Sequence, residues 1–100
     1  MTTQQIVDDL NVLSLQLRQA TEVAPIVGLR AFKMYDTRYM LMFRLSCDNA
    51  YSRLCSLSEH LEKAYPTCVK NAYVIPYPLG GHVIEIITKQ PLVGFSYEDE

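Results

Sequence analysis

The chain has no tryptophan, two histidines, four glycines and three cysteines in 100 residues. Cys47, Cys55 and Cys68 lie eight and thirteen residues apart, which is neither a CxxC pair nor an even disulfide framework. They read as small apolar core residues of a protein in a reducing compartment, the cytoplasm. His60 and His82 stand without an HxxxH partner or a carboxylate cluster at ligand spacing, so no metal centre is expected. No GxGxxG, P-loop or GxSxG occurs, and no cofactor is expected. The longest unbroken apolar run, Tyr39 to Phe43, falls far short of the roughly 20 residues of a membrane-spanning helix. The opening Met1 to Gln5 carries no basic stretch, so neither a leader peptide nor a membrane partner is expected.

Charge of one sign is lacking too. The net charge is −2, which provides no global attraction to nucleic acid or anionic lipid. With 49% hydrophobic and 20% charged residues the composition is that of a globular domain rather than a disordered or coiled-coil chain.

What the chain does contain is ordered by periodicity. Ile6, Leu10, Leu13, Leu17 and Ala20 follow a 4-3-4-3 spacing, one stripe of a helix from about Thr3 to Glu22 that Ala24-Pro25 would end. Val7, Val12 and Leu15 widen that face, which suits packing on a sheet. From Ile26 to Cys47 the residues become β-branched, aromatic and long, broken by Tyr35-Asp36-Thr37-Arg38, the pattern of two strands and a turn. In the second strand Tyr39, Leu41, Phe43 and Leu45 share one face, and Met40, Met42, Arg44 and Ser46 the other.

Ala50, Leu54, Leu57, Leu61 and Ala64 repeat the 4-3-4-3 stripe over a second helix, with Asp48 as expected N-cap and Tyr65-Pro66 as its stop. Val69 to Tyr77 and His82 to Thr88 read as a second strand pair around Pro78-Leu79-Gly80-Gly81, with Pro76 and Pro78 placing one strand at a sheet edge. The expected fold is α+β in the order α-β-β-α-β-β: an antiparallel four-stranded sheet with two helices mainly on one face. Residues 1–90 form the domain, and 91–100 an acidic tail that lies loosely or docks as an added strand.

Function is less legible. Seven Tyr, three Phe and four Met are a heavy allotment for two helices and four strands to bury, and Tyr and Met are enriched where proteins meet proteins. Phe32, Met34, Met40 and Met42 are therefore the expected interaction patch, with another protein or a second copy of the chain as partner, a homodimer through a sheet face or edge. This describes a non-catalytic adaptor, chaperone-like or inhibitor protein, and its small size also suits a virus-encoded blocker of a host factor.

The alternative is nucleic-acid or nucleotide binding through the hairpin. There Arg30, Lys33, Arg38 and Arg44 outnumber Asp36 and interleave with Phe32, Tyr35 and Tyr39, cations for phosphate and rings for stacking. An enzyme ranks third. It would need Cys47 or Cys68 with His82, or His82 with Glu85, and nothing in the spacing selects such a pair.

Overall fold

The computed structural model describes residues 12, 15, 19, 26–35, 37–66, 68–92 and 94–99. Its elements are β1 (Ile26–Lys33), β2 (Tyr39–Leu45), α1 (Ala50–Ala64), β3 (Val69–Pro76), β4 (His82–Thr88) and β5 (Glu98–Asp99). They form an α+β fold. One five-stranded sheet runs β3-β4-β2-β1-β5, antiparallel throughout except for the parallel β1–β5 pair. The helix expected over residues 3–22 lies outside the described residues apart from Val12, Leu15 and Gln19, all three helical.

The expected alternation of β2 sets the layering. Leu41 and Phe43 are fully buried and join Ile84 and Ile86 of β4, Ala31 of β1 and Ala72 of β3 under Leu54 and Leu61 of α1. Within the helix stripe these two leucines carry the contact, Leu57 is half-buried, and Ala64 is exposed where the chain turns away. Burying a leucine side chain contributes on the order of 2 kcal/mol of transfer free energy, so this seam fixes α1 to the sheet. Met40, Met42 and Arg44 point to the opposite face.

Two expectations are corrected. The sheet is not four antiparallel strands but five in a mixed arrangement. After Pro91, Leu92 is buried, and Phe95 and Tyr97 pack against the core, which carries Glu98 and Asp99 alongside Phe32 and Lys33. The Tyr97 hydroxyl accepts from the Leu92 N–H at 3.0 Å and its ring meets Tyr39 edge-on at 5.3 Å. A strand two residues long has no alternation to read in sequence, so tertiary packing decides it.

The second correction concerns the helix start. The N-cap of α1 is Asn49 rather than Asp48, with no side-chain cap hydrogen bond. A backbone turn replaces it: the Ala50 N–H donates to the Cys47 carbonyl at 3.2 Å, so main chain satisfies a donor that a carboxylate was expected to take.

The two hairpin turns hold the strand ends. Met34 N–H donates to the Arg38 carbonyl at 2.8 Å across the first, where Thr37 takes φ +62°. In the second, Tyr77 and Gly81 are joined at 2.9 Å, and Gly80 and Gly81 adopt φ of +107° and +77°, a conformation that only glycine enters without strain.

Candidate functional site

Three surfaces bear the residues singled out by sequence. The first is the sheet face opposite α1. Phe32 pairs with Met40, and Met40 with Ile87, so a ring, a thioether and an isoleucine form a row across β1, β2 and β4. The next row sets Arg30 against Met42, Met42 against Glu85 and Glu85 against Tyr73. Phe32, Met40 and Met42 are half-buried, as is Met34 just beyond β1, whereas Ile87 is buried. The Glu85 carboxylate accepts from the Tyr73 hydroxyl, and this hydrogen bond, with a smaller contribution from burial, pushes the tyrosine pKa up to about 12.

The second surface is the basic hairpin, whose cations are divided. Arg30 stacks on Phe32, 4.5 Å from the ring centroid, and its guanidinium meets the Glu98 carboxylate at 3.2 Å. Arg44 sits at the far end of β2, stacked on Tyr77 at 4.8 Å. Lys33 and Tyr35 are exposed near the turn, Tyr35 at 94%, and Arg38 and Tyr39 are half-buried. Residues read in sequence as one cationic surface thus serve two ends of the sheet, and one of them is already neutralised by the tail.

The third surface is a cleft of about 620 Å³ where β2 ends, α1 begins and the β3–β4 turn closes. It is lined by Val27, Arg44, Cys47, Asp48, Tyr51 and His82, with the main chain of Gly80 and Gly81. The Tyr51 and His82 rings stand 4.4 Å apart, tilted by 50°. A hydrogen bond to the Cys55 thiol raises the Tyr51 pKa, which keeps that hydroxyl protonated. Arg44 stacks on Tyr77 and runs past Gly28 of β1. There Gly28 takes φ +67° at an irregularity in the ladder, and a Cβ on it would lie 3.9 Å from the arginine Nε. Val27 (37%) and Tyr51 (56%) keep much of their surface in solvent, and so does Leu79 (86%) in the adjoining turn.

The residues considered for catalysis fall apart. Cys68 is in the core while His82 lines the cleft, and His82 and Glu85, three apart on β4, point to opposite faces. Cys47 does share the cleft with His82, and its sulfur accepts from the Arg53 guanidinium at 3.7 Å. None of the three cysteines forms a disulfide, and among the described residues no three His, Cys, Asp or Glu side chains gather as a metal site would need. No described helix is long and apolar enough to cross a membrane.

Sequence reading missed Tyr51 and the cleft. The available signal was a large aromatic residue one position off the apolar stripe in the first turn of α1, together with Gly80-Gly81 immediately before His82. Compared with models of known protein families, with curated proteins and with solved structures, the chain matches none.

Proposed function

We propose that this chain is a non-catalytic protein-interaction module of the cytoplasm, a small adaptor, chaperone-like or inhibitor protein that works by covering a partner. Its docking surface is the sheet face carrying Phe32, Met40 and Met42. The observation that supports this best is the contrast between face and edges. The Phe32–Met40 row keeps accessible apolar surface rimmed by Arg30, Glu85 and Tyr73, the apolar-centre, polar-rim pattern of an interface.

Both edges, in contrast, are partly blocked to strand addition. On β3, Pro76 lacks an N–H, Lys70 is exposed, and the outward N–H and C=O of Ala72 are taken by Glu62 and Ser58 of α1. On β1, the irregularity at Gly28 and the two residues of β5 interrupt the ladder. Association by edge pairing is therefore disfavoured, and a second copy of the chain meeting face to face is the first occupant to test.

Hairpin binding to nucleic acid is the weaker reading, because Arg30 already has Phe32 and Glu98 as partners.

Light scattering coupled to size exclusion, at two well-separated concentrations, tests the proposal. A dimer at the higher concentration is expected. A Met40→Lys/Met42→Lys variant that keeps its circular dichroism should remain a monomer. A wild-type monomer at both concentrations overturns self-association. A folded double variant that still dimerises overturns the face as docking surface.

A further inference from the structure

The sheet face opposite α1 is covered unevenly. Arg30 on β1 and Asn71 and Tyr73 on β3 are exposed, and Phe32, Met40 and Met42 are half-buried. Between them on β4, Val83 is 4% and Ile87 6% accessible, as dry as the core under α1. Strand alternation sets both on the face away from Ile84 and Ile86, and neither belongs to the core cluster on the helix side.

Neighbouring side chains do not account for this burial. Across the two ladders Ile87 meets Met40, half-buried, and Asn71, exposed. Side chains on one face stand roughly parallel to each other, so they shield the flanks of Ile87 and leave its tip open. α1 cannot supply the roof, because it packs on the other face against β2, β3 and β4, where Leu92, Phe95 and Tyr97 join the same core.

The closed strip has the width of a helix. A helix with its side chains is about 10–12 Å across and strands lie about 4.8 Å apart, so a helix laid along β4 covers that strand and part of the next. The residues from Thr3 to Glu22 would make about 30 Å of helix, enough to run the length of β4, about 23 Å. Val23, Ala24 and Pro25 alone separate Glu22 from Ile26, and β1 begins at the sheet end where β2 stops and β4 starts. The segment is thereby tethered at one end of the strip.

Direction agrees as well. Ile6, Leu10, Leu13, Leu17 and Ala20 share one side of the expected helix. Val12, Leu15 and Gln19, which are helical, stand about 150° round from Leu10 and Leu17 at roughly 100° per residue, and all three are exposed. An exposed back is what a helix with its apolar stripe against a surface shows.

We infer that this face is an acceptor for one amphipathic helix, and that its occupant is the chain's own segment 3–22, with Leu10, Leu13 and Leu17 seated on Ile87 and Val83. A second copy is then left the Phe32–Met40 side of the face and not the whole of it. The inference does not rest on the docking reading above.

The full chain, methyl-labelled at Ile, Leu and Val, tests this without any substitution. Nuclear Overhauser contacts are expected from the Ile87 methyls to Leu10, Leu13 or Leu17. A mixture of labelled and unlabelled chains separates contacts within a chain from contacts between two, so the result stands whether or not the chain dimerises. Leu13→Lys should open the strip and raise the fluorescence of anilinonaphthalene sulfonate about threefold or more, while Val12→Lys, on the exposed back, stays at the wild-type level. If Leu13→Lys loses its fold, the wild-type contacts decide. No contact from Ile87 to the segment, contacts between chains only, or equal dye signals from two folded variants overturns the inference.

Discussion

The two edges of the sheet are held by different means. At β3 the helix overhangs the edge: Leu54 and Leu61 bury against the sheet, and Glu62 and Ser58 take the outward backbone groups of Ala72. At β1 the edge is reached by a tail anchored through buried Leu92, and the strand pair itself is held by two paired residues, an exposed ion pair, one tyrosine hydroxyl and one ring contact. The first relies on buried apolar area with part-buried hydrogen bonds at the strand edge, while the β1–β5 pair itself relies on contacts that water shares. Buried area scales to kcal/mol, while solvent-exposed charge pairs contribute little, so the β3 edge belongs to the cooperative core and the β1 edge to its periphery.

Substitutions that attack each edge in turn break this comparison, and the largest effect is expected under α1. Leu54→Ala should lower the unfolding free energy by about 2–5 kcal/mol, read from urea denaturation, because Leu54 is fully buried between α1 and the sheet. A loss under about 1 kcal/mol would mean that α1 is not tied to the core as described.

Next comes Glu62→Ala, which strips the Ala72 N–H of its acceptor at 2.9 Å and should cost about 1–3 kcal/mol. Faster hydrogen exchange at the Ala72 amide is its signature, and Glu62→Gln, which keeps a carbonyl acceptor, should recover most of the protection.

At the other edge the effects shrink. Glu98→Gln removes an ion pair whose side chains are each 59% exposed, and should cost at most about 1 kcal/mol, vanishing in about 1 M salt. A larger, salt-independent loss would place the Glu98–Asp99 pair itself in the core and erase the contrast.

The last effect shows itself only at alkaline pH. The Glu85 carboxylate holds the Tyr73 pKa at about 12, above the ordinary value of 10.0, so the folded state keeps its proton longer than the unfolded chain does. The resulting stabilisation is complete below about pH 10 and lost as pH rises through about 12. The wild-type melting temperature should therefore fall more steeply over that window than that of Tyr73→Phe. Parallel curves for the two would remove the hydrogen bond from the account.

Periodicity settled the elements long enough to repeat their own period. The alternation from Tyr39 to Leu45 named the buried and outer faces of β2, and the stripe through Leu54 and Leu61 named the helix and its inner side. The break at Tyr65-Pro66 ended the helix where it does end, and the glycines at 80 and 81 marked the turn just before β4 begins. Each rests on local sterics or on a one-sided apolar stripe that any partner surface would select.

The rest depended on long-range packing. Whether residues 98 and 99 form a strand depended on β1 offering an edge and on Arg30 offering a charge. Whether Asp48 or Asn49 caps α1 depended on a backbone turn at Cys47. The assignment of Arg30 to the tail and Arg44 to the cleft depended on distances that sequence separation does not encode. The cleft is the extreme case. Val27, Arg44, Tyr51 and His82 come from four elements and share no spacing, and they meet because the strand order β3-β4-β2-β1 and the start of α1 bring four chain ends to one corner of the sheet. Periodicity reports which side of an element is apolar, and a site assembled from the ends of elements leaves no periodic trace.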